Sequence, residues 1–281
     1  MERTYCLGLY EKSMPDFLTI REKLEEAGKA GFDFLELSID ETDARLARLD
    51  WNSTEISKIN RHQLDTGIPI RSFCLSGHRR FPLGHPDEAV RAKGLEIMCK
   101  AIDLASKLGV RIIQIAGYDI YYGESTDESR AFFAQGLRSS VEYAAKKSVI
   151  LAFETMETEF LDTVEKAMGW IESINSPYLQ VYPDSGNIKN ASLLYNTDVL
   201  EDLEKGRGHL AALHLKESIP GHYREIPYGM GHVDFAAMTA CAMKLGVRVY
   251  LAEFWHKGEE NWRRILADNC RFLRERLDAA Q

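Results

Sequence analysis

Apolar residues along this chain follow two alternating patterns. Eight short runs are almost continuously apolar: YCLGLY (5–10), FDFLELS (32–38), IRSFCLS (70–76), RIIQIAG (111–117), VILAFE (149–154), LQVYPD (179–184), LAALHL (210–215) and VRVYLAEF (247–254). Runs of this kind predict strands buried on both faces, the mark of a parallel sheet. Between them the apolar positions recur at helical spacing. Residues 16–30 carry Phe17, Ile20, Leu24 and Ala27, and residues 87–108 carry Val90, Leu95, Ile102, Ala105 and Leu108. Further helices are predicted over about 127–147, 160–174, 192–205, 234–245 and 259–278, the last with a stripe at Trp262, Ile265, Leu266, Phe272 and Leu273. Glycine follows the helices at Ala30-Gly31, Leu108-Gly109 and Leu245-Gly246, where a helix stops before a strand begins. Eight strand–helix repeats predict the α/β class and a closed (β/α)₈ TIM barrel. No linker, low-complexity tract or break in composition interrupts them, so residues 1–281 read as one barrel domain.

The unusual residues lie after the strands. Residues 76–86 read SGHRRFPLGHP, residues 117–125 GYDIYYGES, and residues 216–235 KESIPGHYREIPYGMGHVDF. Segments before strands, such as the KKS ahead of residue 149, are short and plain. Loops after strands form the active face of such barrels, so this asymmetry identifies the mouth.

Four strand runs end in a residue able to hold a metal: Glu154, Asp184, His214 and Glu253. The first three are thirty residues apart and the fourth follows thirty-nine later, close to the length of one strand–helix unit, roughly 30 residues. Side chains at matching strand ends converge on one mouth. Two Glu, one Asp and one His make a site for one divalent metal ion, and the donors suit Mn²⁺, Mg²⁺ or Zn²⁺. A cation held this way stabilises an oxyanion on a sugar lying between the two glutamates. One glutamate would take a proton from carbon and the other return one to the opposite face, inverting a stereocentre beside a carbonyl through a cis-enediolate.

Composition narrows the alternatives. Of 281 residues 45% are hydrophobic, enough for a sizeable core, and the net charge of −8 gives no basic footprint for nucleic acid. Cys6, Cys74, Cys99, Cys241 and Cys270 form no C-x-x-C pair, which fits free thiols in a reducing cytoplasm. The chain has no apolar leader at its start and no run of about 18 apolar residues, so neither export nor a membrane span is expected.

The motifs LGLYEKSMP, FDFLELSIDETDARLARLDW, CLSGHRRFPLG, GLEIMCKAID, IQIAGYDIYY, YPDSGN, HLKES and YGMGHVDF cover most of the chain. In them the chain resembles the xylose-isomerase-like barrels and, among these, the L-xylulose 5-phosphate (L-ribulose 5-phosphate) 3-epimerases. The resemblance implies a metal-dependent isomerase that interconverts the two sugar phosphates. It implies metal ligands at Glu154, Asp184, His214 and Glu253, with Glu154 and Glu253 also the acid–base pair. It further implies a homodimer. Related tagatose-type epimerases carry a His shortly after the metal-binding Asp. Here the stretch is Asp184-Ser185-Gly186-Asn187, so Asn187 takes over that substrate contact or the role is absent.

A phosphate needs cationic or N–H donors. Lys216 is the leading candidate, followed by His78, Arg79 and Arg80 in one loop and His222 and Arg224 in another. Ser76 and Glu157 are expected to line the pocket. Tyr118, Tyr121, Tyr122, Phe81 and Trp255 either shield it from water or form a subunit contact. The Gly229-x-Gly231 step reads as turn chemistry, and Asp234 as the cap of the next helix. Other readings keep the same metal site: an epimerase or isomerase of a non-phosphorylated ketose, or an inosose dehydratase. An endonuclease of this superfamily would need more His ligands and a basic face, and a sugar sensor would not need both glutamates.

Overall fold

The computed structural model describes residues 3–281. Its eight strands are β1 (Cys6–Tyr10), β2 (Phe34–Ile39), β3 (Ile70–Leu75), β4 (Ile112–Ala116), β5 (Ile150–Glu154), β6 (Leu179–Val181), β7 (Leu213–Leu215) and β8 (Val249–Ala252). All pair in parallel in one sheet, ordered β6-β5-β4-β3-β2-β1-β8-β7. Parallel bridges Val181↔Leu210 and Asp184↔His214 join the two outer strands, so the sheet closes into the expected (β/α)₈ barrel.

Among the described residues, ten α-helices cover the outside: α1 (Ile20–Ala30), α2 (Asp43–Leu46), α3 (Ser53–Thr66), α4 (Glu88–Leu108), α5 (Asp127–Lys147), α6 (Val164–Ile174), α7 (Ser185–Tyr195), α8 (Val199–Lys205), α9 (Phe235–Lys244) and α10 (Trp262–Ala280). Local chemistry sets their limits. Thr19 and Glu22 form a capping box at the start of α1, and Asn52 and Glu55 do the same for α3. Helices α1 and α4 end at Gly31 and Gly109 in left-handed backbone, as the Gly signals predict.

Two layers of core result. The larger lies between sheet and helices and includes Leu35, Leu37, Ile113, Phe153 and Leu273. The smaller fills the barrel with Tyr10, Phe34, Cys74, Ala152, Tyr182, Ala212 and Leu251. Polar side chains share that interior, among them Glu36, Ser72, Gln114 and His214, all buried.

Three expectations change. Phe17 is 80% exposed, because Thr19 starts α1 after it and leaves it outside the packed stripe. The helix expected over 192–205 is two helices: Asp184 caps α7 earlier in the chain, and Asn196 ends it in left-handed backbone. The strand expected to reach residue 184 stops at Val181, since Pro183 has no N–H for the ladder and the Asp184 side chain turns the backbone into α7. Helix α3, whose apolar stripe is thin (Ile56 and Ile59), escapes the periodicity reading.

The loops at the mouth are tied by buried charges. Glu11, fully buried beyond β1, is paired with Lys23, Arg45 and Arg48 and accepts the Ser38 N–H at 2.8 Å. Burial alone would raise its carboxyl, but Arg48, Lys23 and Arg45 outweigh burial and hold it well below the usual carboxylate range. Glu11→Gln leaves Arg48 without its carboxylate and Lys23 and Arg45 with Asp16 alone, and a loss of roughly 3–5 kcal/mol is expected in urea unfolding.

Candidate functional site

Each of the four predicted donors leaves the sheet at its C-terminal edge. Glu154 ends β5, Asp184 caps α7 just past β6, His214 is the middle residue of β7, and Glu253 follows β8. All four are buried, and one donor atom from each lies within 4.8 Å of all the others. Nδ1 of His214 stands 3.0 Å from Glu253, 3.7 Å from Glu154 and 3.9 Å from Asp184.

The two oxygens of Asp184 differ. Oδ1 accepts the Asn187 N–H at 2.7 Å and faces the Lys216 ammonium at 3.2 Å. Oδ2 points into the cluster and, though buried, has no hydrogen-bond partner among the described residues. Such an orphan is costly unless a cation or proton meets it. Burial, with Glu253 and Glu154 nearby, pushes the Asp184 carboxyl up despite Lys216. Burial would raise Glu253 too, but Lys216 and His214 hold it below the carboxylate range. For His214 burial favours the neutral ring, yet Glu36 and Glu253 outweigh it and its pKa rises. Three carboxylates, one imidazole and the Lys216 ammonium thus share one buried pocket, and the donor set of two Glu, one Asp and one His fits a hard or borderline divalent cation.

The other expected residues have varied positions. Lys216 lies inside the cluster: it is buried, donates to Asn187 Oδ1 at 2.8 Å and stands 3.9 Å from Glu253. Asn187 is also fully engaged, its Nδ2 donating to the Thr155 carbonyl at 2.7 Å. His78 is buried with Nε2 3.0 Å from the Gly94 carbonyl, and burial lowers its pKa to about 4, so it is neutral at pH 7 and offers no positive charge. Ser76 is buried beside it, its N–H bonded to Ile39. Arg224 is ion-paired with Glu157, joining the loop after β5 to that after β7. Arg80 turns outward to Asp43 at 2.6 Å.

Arg79 differs from these. Its guanidinium sits 4.7 Å over the Tyr121 ring, and its buried Nε has no hydrogen-bond partner among the described residues. It lines a cavity of about 430 Å³ between the loops after β3 and β4, with Ile120, Tyr122 and Phe132. Tyr118 is buried against Tyr121, while Tyr122 is 71% exposed and its hydroxyl donates to Glu41 at 2.7 Å. Trp255 packs edge-on to Tyr10, and Phe81 is half-buried.

Two acidic residues escaped the sequence reading. Glu217 accepts the N–H groups of Gly229 and Val233, at 3.0 and 3.1 Å, and so folds the loop after β7. The Gly pair is required here: a Cβ on Gly231 would lie 2.1 Å from the Ser218 carbonyl oxygen. Glu36, in β2, lies 3.1 Å from His214 Nε2 on the side away from the cluster. Its signal was a charge in the middle of the apolar run FLELSI.

Residues 24–276 match the family model described as xylose isomerase-like TIM barrel. L-ribulose-5-phosphate 3-epimerase UlaE of Salmonella paratyphi C (strain RKS4594) is 44% identical over 256 residues, covering 91% of this chain and 89% of that protein. The same enzyme of Salmonella choleraesuis (strain SC-B67) matches equally. Among solved structures, D-allulose 3-epimerase from Methylomonas sp. superposes with a TM-score of 0.79 at 17% identity, covering 98% of both chains. An L-ribulose 3-epimerase does so with a TM-score of 0.76 at 21% identity, over 98% of this chain and 95% of that one. At these identities the structural likeness speaks for the fold.

Proposed function

The chain belongs to the xylose isomerase-like TIM barrel family, among the L-ribulose-5-phosphate 3-epimerases, and from that premise we propose that it is a metal-dependent 3-epimerase interconverting L-ribulose 5-phosphate and L-xylulose 5-phosphate. The observation that carries this reading is the pair of buried glutamates, from strands three apart around the barrel, sharing one cluster with Asp184 and His214.

Glu154, Asp184, His214 and Glu253 would hold the cation, for which Mn²⁺, Zn²⁺ and Mg²⁺ are the candidates. When bound, it supplies positive charge that polarises the C2 carbonyl and makes the neighbouring C3 proton acidic. Glu154 and Glu253 approach the pocket from different strands, so a sugar between them exposes one face of C3 to each. One carboxylate takes the C3 proton, C3 becomes planar, and the other carboxyl returns a proton from the opposite face. Lys216 balances the negative charge of the cluster and holds Asp184 in place with Asn187. Glu157 and Arg224 stand where two mouth loops meet, suited to substrate hydroxyls. Buried Tyr118 and half-buried Trp255 help to exclude water.

For the phosphate we favour Arg79. Its guanidinium has no carboxylate partner among the described residues, whereas Lys216, Arg80 and Arg224 each have one. Arg79→Ala is expected to raise KM for the sugar phosphate about 10–100-fold, the value of one or two charge-assisted hydrogen bonds, and to leave the KM of free L-ribulose unchanged. Lys216→Ala should depress turnover of both sugars alike. Selective loss of the phosphate sugar in Lys216→Ala would return that role to Lys216.

The reaction itself is tested in deuterium oxide, with L-xylulose 5-phosphate followed by NMR. Deuterium should enter C3 as the epimer appears; epimer without label argues against proton exchange through the two acids.

The same proposal places the enzyme in the cytoplasm as one barrel domain and a homodimer acting on a small molecule, not on nucleic acid. In support, the five cysteines are free, and no described helix is long and apolar enough to cross a membrane. Leu193 and Leu194, exposed at the end of α7, offer an apolar patch to a second copy.

A further inference from the structure

Glu36 is fully buried inside the barrel, where an uncompensated carboxylate is costly. Strand register sets it beside Tyr10 on one side and Ser72 on the other. Two groups meet its carboxylate. The Ser72 hydroxyl donates to Oε2 at 2.6 Å, and His214 Nε2 lies 3.1 Å from Oε1. Across the same imidazole, Nδ1 faces Glu154, Asp184 and Glu253. The Tyr182 ring packs against the imidazole at an interplanar angle of 72°, with centroids 4.5 Å apart. The ring is thus held at its far nitrogen and by an aromatic neighbour, and Nδ1 is the nitrogen that faces the cluster.

We propose that Glu36 is a positioning residue for the metal site: by accepting the Nε2–H of His214 it fixes the tautomer and ring plane that leave the Nδ1 lone pair free for the cation. An imidazole has one N–H when neutral, and the hydrogen bond to one nitrogen selects the other as ligand. Ser72 holds Glu36 in turn, giving a chain Ser72–Glu36–His214 that runs from β3 through β2 to β7. The inference rests on the metal reading given above and extends it to a residue that touches neither cation nor sugar.

The test titrates Zn²⁺ into the metal-free protein by calorimetry, for wild type, Glu36→Met, Glu36→Gln and Ser72→Ala. Methionine keeps the volume and removes the acceptor; glutamine keeps an acceptor and removes the charge. The dissociation constant should rise about 10–100-fold in Glu36→Met and less in Glu36→Gln and Ser72→Ala, the usual loss for an outer-shell partner. Nitrogen-15 spectra of the zinc-loaded protein should show one Nε2–H tautomer of His214 in wild type and a mixture in Glu36→Met. Should Glu36→Met not fold, Glu36→Gln and Ser72→Ala decide. Unchanged affinity and tautomer in the folded variants overturn the inference and leave the metal reading intact. A wild type that binds no Zn²⁺ or Mn²⁺ overturns both.

Discussion

Glu154→Gln and Glu253→Gln are each expected to lower kcat for epimerisation by on the order of 10³-fold or more. A positioned general acid or base is worth roughly 10²–10⁴-fold, and inversion needs both partners in every turnover. Glutamine keeps the shape and an oxygen for the cation but can neither accept nor return the proton. Both residues also belong to the donor cluster, so the loss must be measured at saturating Mn²⁺, with bound metal quantified in the same sample. A finer result separates the two functions. Each variant retains one glutamate and therefore reaches one face of C3. It should exchange the C3 proton of one epimer with deuterium oxide while forming almost none of the other. The two variants should differ in which sugar they label. Near-wild-type turnover in either fully metallated variant rules out the two-acid mechanism.

Stripping the metal is the second large effect. Dialysis against a chelator should abolish turnover, and adding Mn²⁺, Zn²⁺ or Mg²⁺ should restore it with a preference that identifies the native ion. Stability should move in parallel, because without a cation three buried carboxylates crowd around His214 and Asp184 Oδ2 has no hydrogen-bond partner among the described residues. A cation that binds only the folded state, at free concentration a thousandfold above its dissociation constant, stabilises by about 4 kcal/mol. For a chain of this size that corresponds to a rise in Tm on the order of 10 °C. His214→Ala and Asp184→Ala should lose most of that rise, and affinity by more than the 10–100-fold typical of an outer-shell residue. Full activity after exhaustive chelation, with metal shown to be absent, would exclude a metal-dependent reaction.

Much of this architecture is written in local pattern. Parallel strands buried on both faces are apolar almost throughout, and helices reveal themselves by one apolar stripe, so seven of the strand–helix alternations could be read in order. The donors were visible for the same reason. A barrel mouth forces them to strand ends, and strand ends recur at the length of the repeat: Glu154, Asp184 and His214 sit thirty residues apart. Helix α3 was lost because two buried isoleucines are too thin a stripe to announce a helix.

The neighbourhood of each charge was decided only by closing the barrel. Glu36 and His214 are 178 residues apart and meet because β2 and β7 face each other across the interior. Nothing near Lys216 in the chain says that its ammonium folds inward onto Asp184 and Asn187, nor that Arg79, among the described residues, is left with an aromatic ring and no carboxylate. Periodicity is a property of neighbours along the chain and survives in the linear code. Charge compensation is a property of neighbours in space, and those exist only once eight strands have come together.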